Sequence, residues 1–341
     1  MNEPPTAASP APRAGRAPAR ILKALFLALL FLLAAEQAVR MTVREPQERM
    51  FQDDPVRFWS LRPGDLPDPG TGQPAHVNSL GMRGPEPRGE DQRRVLLLGD
   101  SRVFGMFLLD PDALDRALEP LLSRATGLEV GVYNGGVPGY SSAQALEVLR
   151  DVGPRLRPDV VVFFDCLGDV AHATQTDSAR LGPRPLRTVR RALWNGSAAY
   201  RALTRWRRGE KMQGALFDQG NVLRVPREEV AANVREMDRL SRSFGARHTL
   251  IVLWPDQDSR QFGPGSFGKR NTEHSQAVLD AGARTTRTVD LWDRWARERR
   301  PVDRLFFETR VHLKPEGIRI VASQVAEELV PWLSEGGASR P

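Results

Sequence analysis

The chain has one cysteine, Cys166, and three tyrosines in 341 residues, and each shortage excludes something. A single thiol closes no intrachain disulfide, so the fold depends on its core, and the chain is long enough to bury a proper one. A thiol nucleophile would need a paired base, and none is singled out; Cys166 reads as a small apolar side chain at a strand end. No Lys/Arg cluster alternates with aromatics, which argues against nucleic acid as a partner despite a net charge of +7. The basic excess is mostly arginine spread along the whole chain, and lipid head groups and acidic glycans remain as anionic partners. His76, His172, His248 and His274 show no metal-ligand spacing with Cys or carboxylates, so no metal is expected. A nucleotide cofactor is not expected either. GPGSFGKR (263–270) matches a glycine-rich pattern, but Arg270 stands where Ser or Thr should hold Mg²⁺, and the segment does not join a strand to a helix.

Long apolar runs are also scarce, and the one that stands out is N-terminal. Residues 24–35 are uninterrupted, too short alone for a hydrocarbon core of ~30 Å. Ile21, Leu22 and a snorkelling Lys23 bring the segment close to the required length. Its apolar residues cover every face, unlike those of an amphipathic core helix. Residues 1–20, rich in Pro and Ala with Arg13, Arg16 and Arg20, are expected to be disordered. Positive charge ahead of the segment keeps that end in the cytoplasm and exports the rest. A cleaved signal peptide is the competing reading. Glu36 and Gln37 interrupt the alanines and leave no small-x-small cleavage site, so 21–39 is read as a retained transmembrane anchor. Residues 40–93, rich in Pro, Gly and charge, read as a juxtamembrane linker and a cap.

Beyond residue 93 the pattern changes. RVLLLGD (94–100), EVGVYN (129–134), DVVVFFD (159–165), HTLIVLW (248–254) and RTVDLW (287–292) are short apolar runs that suit strands buried on both faces. Helical patterns lie at 112–123, 141–152, 227–243, 272–283 and 316–334. Strand alternating with helix predicts an α/β domain with a parallel sheet covered on both sides, reactive groups sitting at the carboxyl ends of its strands. One basic, partly amphipathic stretch, about 177–225, interrupts the alternation and reads as a helical insertion. It is either a solvated face or a lid or surface resting on anionic lipid or glycan.

Three segments carry chemistry. LLLGDSRVFG ends the first strand: Gly99 permits a tight turn, and Ser101 opens a helix with its hydroxyl facing the crevice and its N–H available to an oxyanion. YNGGVPGYSSAQ ends the second, where Gly139 can donate another oxyanion N–H and Ser141 can cap a helix. FFETRVHLKPEG places His312 just ahead of the last helix, as a base for Ser101.

Through GDS (99–101), NGGVPG (134–139) and VHLKPEG (311–317), in order over residues 94–335, the chain resembles the SGNH/GDSL hydrolase superfamily. With VNSLGMRGPE (77–86) ahead of the first block, it is similar to the membrane-anchored bacterial members. The resemblance implies a flavodoxin-like three-layer α/β/α sandwich, metal-free serine catalysis on esters, and a site in the periplasm beside the bacterial inner membrane. It also implies oxyanion amides from Ser101 and Gly139, with Asp100, Asn134 and Asp169 as polar residues near substrate. Two positions depart from the family pattern. Gly168 stands where an Asn side chain usually donates to the oxyanion, a donor worth about 3 kcal/mol. Thr309 stands where an Asp usually orients the His, leaving Glu308 or a backbone carbonyl for that task. The expected activity is hydrolysis of an ester, with an O-acyl group on envelope carbohydrate or lipid as the expected substrate. The same machinery would serve an O-acyltransferase, and the two departures would suit a non-catalytic glycan-binding relative.

Overall fold

The computed structural model describes residues 17–42, 50–67, 71–89, 92–208, 220–255, 267–281, 286–300, 302–309 and 311–335. They begin with helix α1 (Ala17–Thr42), followed by two antiparallel hairpins, β1 (Phe51–Asp54) with β2 (Phe58–Leu61) and β3 (Gly64–Pro67) with β4 (Pro74–Val77). Next come β5 (Arg93–Gly99), α2 (Ser101–Phe104), α3 (Leu114–Thr126), β6 (Val130–Gly136), α4 (Ser142–Leu156) and β7 (Val160–Phe164). The insertion holds β8 (His172–Ala173), α5 (Asp177–Leu181), α6 (Arg184–Gly196), α7 (Ala198–Arg208) and β9 (Val222–Leu223). The alternation resumes with α8 (Arg227–Ser243), β10 (His248–Leu253), α9 (Phe267–Ala281), β11 (Arg287–Asp290), α10 (Leu291–Arg297), α11 (Val302–Leu305) and α12 (Pro315–Ser334). The chain divides into two compact units, α1 with residues 191–209 and the remainder of the described chain.

In the larger unit a five-stranded sheet runs in the order β11-β10-β7-β5-β6, every pair parallel. Counted along the chain this is the flavodoxin-like 2-1-3-4-5 order, with its switch point between β5 and β7. The continuous apolar runs have a direct cause. Along β5, Leu96 and Leu98 join a cluster with α4, α8 and the N-terminal hairpins, while Val95 and Leu97 join one with α3, α10 and α12. Both faces of the strand are therefore dry, and alternation disappears from its sequence. The helices carry their own start signals. Ser141 caps α4 in a capping box, its side chain accepting from the Gln144 N–H while Gln144 Oε1 accepts from the Ser141 N–H.

The segment read as linker and cap is built structure. Trp59, Leu61, Val77 and Met82 of 40–93 are buried in the core. Trp59 Nε1 donates to the Pro138 carbonyl, and the Tyr140 hydroxyl donates to the Trp59 carbonyl. The hairpins thus brace the loop after β6. In the smaller unit α1 includes a 23-residue stretch, Arg20–Thr42, long and apolar enough to cross a membrane, and none of its most apolar part is buried.

Candidate active site

Asp100 follows β5 directly, caps α2 by accepting from the Arg102 N–H, and leaves Ser101 as the first residue of that helix. On the other side of the crevice a short loop presents His312. Phe306 and Leu313 form a β-bridge, Phe307 N–H donates to the His312 carbonyl at 2.9 Å, and Lys314 N–H donates to the Leu305 carbonyl at 2.8 Å. With its backbone held at both ends, His312 brings Nε2 to 2.9 Å from Ser101 Oγ, across 211 residues of sequence. Its Nδ1 lies 3.0 Å from Thr309 Oγ1, and the Phe107 ring meets the imidazole edge-to-face at 5.0 Å. Phe107 is held at φ 71°, a strained value for a bulky residue. Burial pulls the imidazole pKa down to about 4; Asp100 opposes the shift and Arg102 adds to it. The ring is therefore neutral at pH 7. With Nδ1–H donating to Thr309, the Nε2 lone pair is left for the serine proton.

The carboxyl ends of β5, β6 and β7 meet beside this pair. Val137 N–H donates to the Gly99 carbonyl at 3.2 Å, and Leu167 N–H donates to Asp100 Oδ2 at 2.8 Å. After β6, Tyr140 N–H donates to the Val137 carbonyl, closing a turn with Pro138 second and Gly139 third at φ 78°. That is the type II pattern, which places a left-handed residue at the third position and so favours glycine. Among the described residues neither the Ser101 N–H nor the Gly139 N–H has an acceptor.

The profile of the GDSL-like lipase/acylhydrolase family matches residues 97–320, most of the larger unit. The chain belongs to that family. It is an ester hydrolase. Solved structures similar to this hydrolase include a lipase/acylhydrolase from Enterococcus faecalis, 17% identical over 70% of this chain and 96% of that one, with a TM-score of 0.47. Others are an acetylxylan esterase from Geobacillus stearothermophilus (16%, 70% and 94%, 0.45) and the psychrotrophic esterase EstA from Pseudoalteromonas sp. (14%, 71% and 99%, 0.42). No curated protein matches the sequence.

Several site residues of the hydrolase sit differently from expectation. Asp100, Asn134 and Asp169, expected near substrate, are buried and committed to internal hydrogen bonds. Asp100 accepts from Arg102 and Leu167. Asn134 donates to the Val103 carbonyl and Asp115 and accepts from Gly136 N–H. Asp169 accepts from the N–H and hydroxyl of Ser142 at 2.7 and 2.9 Å, and burial lifts its pKa to about 7. The place considered for Glu308 is filled by Thr309 Oγ1; Glu308 is exposed and has no hydrogen bond among the described residues. Gly168 has a steric reason: a Cβ there would collide with the Tyr140 carbonyl and come within 3.0 Å of Ser141 N. The loop after β6 occupies the space that an Asn would need. Cys166 is buried, its thiol pKa raised first by that burial and then by Asp100 and Asp169. His76 pairs with Asp65, His248 stacks on Trp332, and His274 bonds the Val225 carbonyl. Of the segment 263–270, residues 263–266 lie outside the described residues.

Two residues that sequence reasoning missed hold the site together. Arg224 is buried, donates to the Gly139 carbonyl at 2.7 Å, and pairs with Asp177 at 2.8 Å. Asp177 in turn accepts from the Ser141 hydroxyl at 2.6 Å. A third, Arg102, binds Asp100 and the Asp165 carbonyl, tying the turn that carries Ser101 to the end of β7. Local spacing does not mark Arg224 or Asp177, whose partners are distant in sequence, nor does it show that Arg102, besides its near neighbour Asp100, reaches the Asp165 carbonyl.

Proposed function

We propose that this hydrolase cleaves an ester through a Ser101–His312 dyad, in a domain held at a membrane by α1, and that its substrate is an O-acyl group of envelope carbohydrate or lipid. The reading rests on the 2.9 Å approach of Ser101 Oγ to a neutral His312 Nε2. As Oγ attacks the ester carbonyl carbon, its proton passes to Nε2, and the carbonyl electron pair moves onto oxygen, towards the Ser101 and Gly139 N–H groups. Collapse of the tetrahedral species expels the alcohol, which takes the proton from Nε2–H. Water then attacks the acyl-serine by the same route, releasing the acid and restoring Ser101. Thr309 stabilises the intervening imidazolium only as a neutral acceptor, so the dyad works without a carboxylate partner.

The exported side is supported by Arg13, Arg16, Arg20 and Lys23, which precede or open the apolar segment. From that side envelope components are within reach. Labelling the full-length protein with a fluorophosphonate, followed by mass spectrometry, tests the chemistry, and the adduct is expected on Ser101. Absence of that adduct, with ester hydrolysis unchanged in Ser101→Ala, refutes the dyad. Membrane fractionation tests the anchor, and an intact N-terminus in the membrane fraction is the expected result.

A further inference from the structure

We propose that residues 191–206, in the last turns of α6 and in helix α7, form a membrane-interface element that lies on anionic phospholipid at the level where the apolar part of α1 ends. The proposal rests on the reading of α1 as a membrane span. The first observation is a joint inside the smaller unit. Glu36, a carboxylate at the end of an apolar run, accepts from the Ala198 and Ala199 N–H groups at 2.7 and 3.0 Å and from the Ser197 hydroxyl at 2.9 Å. Ser197 Oγ accepts from Tyr200 N–H, so the first turn of α7 has its otherwise unpaired donors met by one serine and one glutamate of another helix. Arg40 closes the joint, donating to Glu36 at 2.8 Å and to the Gly196 carbonyl at 3.2 Å.

The joint sets a depth. The apolar stretch 21–35 rises about 22 Å, less than a hydrocarbon core of ~30 Å, so the residue that ends it sits at or within the head-group boundary, and the start of α7 sits there with it. The second observation is the surface of the two helices. On the part of α6 that belongs to the smaller unit, Leu193 is exposed. On α7, Leu203 and Trp206 are three residues apart and both exposed, Trp206 by 79%. No residue of α6 is buried. From 191 to 208 there are five arginines and no acidic residue. The stretch is cationic by composition. A helix with an open apolar stripe beside arginines, Trp included, is the composition of an interfacial helix, and its charge selects anionic lipid.

The experiment uses the full chain in nanodiscs of phosphatidylcholine, alone or with phosphatidylglycerol added. A nitroxide is placed through Leu193→Cys, Leu203→Cys or, on the opposite side of α6, Asn195→Cys; the native Cys166 is buried and out of the reagent's reach. With phosphatidylglycerol, the labels at 193 and 203 should be several-fold less accessible to a water-soluble nickel relaxant than the label at 195, and more accessible to oxygen. Phosphatidylcholine alone should shrink the contrast. Glu36→Ala should return the 203 label towards water while ester hydrolysis, measured on the same sample, persists. Equal nickel accessibility at all three positions overturns the proposal, and equal protection in both lipids overturns its anionic selectivity. Alkaline carbonate separates the two readings: release of the chain defeats the anchor, whereas retention with water-exposed labels defeats only the interface element.

Discussion

Thr309→Asp places a carboxylate where a neutral hydroxyl now meets His312 Nδ1 at 3.0 Å. The imidazole starts from a pKa of about 4, set chiefly by burial. A hydrogen bond to a charged group contributes ~1.5–3 kcal/mol, equivalent to about one to two pKa units at ~1.4 kcal/mol each. Position 309 is exposed, and solvent screening favours the lower end, about one unit. The sign follows from which form the carboxylate favours: it stabilises imidazolium, so the proton binds at higher pH and the base is lost earlier on acidification. The acid limb of kcat/KM for a short-chain ester should therefore lie near pH 4 in the natural protein and move up to about 5 in the variant. At pH 7 the base is neutral in both, yet the same ~1.4 kcal/mol acts on the imidazolium of the transition state and should raise kcat about tenfold. The assay is a pH–rate profile from pH 3.5 to about 8, with circular dichroism at each end. An acid limb that stays in place in a folded variant would show that Thr309 does not orient the catalytic ring. A natural-protein limb near 6.5 would show that His312 is not desolvated as described.

Other outcomes follow from the same geometry. Ser101→Ala and His312→Ala should each remove ester hydrolysis, and the double variant should lose little more, since the two act as a unit; additive losses in kcat would argue against a dyad. Gly168→Asn, which would restore the usual family residue, should lower kcat and cost ~1–3 kcal/mol of stability in urea, because its Cβ meets the Tyr140 carbonyl; a gain in kcat would refute the steric account. Arg224→Met leaves buried Asp177 with only the longer 3.9 Å ion pair to Arg180 and should cost about 3–5 kcal/mol. It should also lower kcat more than it raises KM, as the Gly139 turn loses its brace; unchanged kcat in the folded fraction would make Arg224 purely structural.

The sheet was legible because burial on both faces writes itself as uninterrupted Val and Leu. The runs at 94–100 and 159–165 became β5 and β7 within a residue or two. That Ser101 opens a helix and His312 lies just ahead of the last one was legible, because local sequence marks strand ends and helix starts. Thr309 was read as a missing carboxylate but not as an acceptor in its own right, since a three-residue separation says nothing of where the hydroxyl turns. The two N-terminal hairpins escaped notice because four-residue strands punctuated by Pro and Gly show no periodicity. Asn134 was misjudged for a related reason. Polar residues in a motif look like ligands, while the tertiary fold had already claimed this one for Asp115 and the α2 backbone.

Asp177 and Arg224 stand at the two ends of the insertion, joined by their ion pair and by Asp177 N–H donating to the Arg224 carbonyl at 2.7 Å. A loop whose mouth is already closed contributes its closure entropy once, and each doubling of its length then adds only about 0.6 kcal/mol. Within that closed loop Leu181 packs into the core, Arg187 pairs with Glu147 and β9 pairs with β8, so the freedom to lengthen, shorten or change chemistry belongs to the stretch between Arg187 and β9. The clasp that steadies the Gly139 turn also makes that stretch interchangeable: one that fits one surface could be exchanged for one that fits another with the same turn kept beneath it.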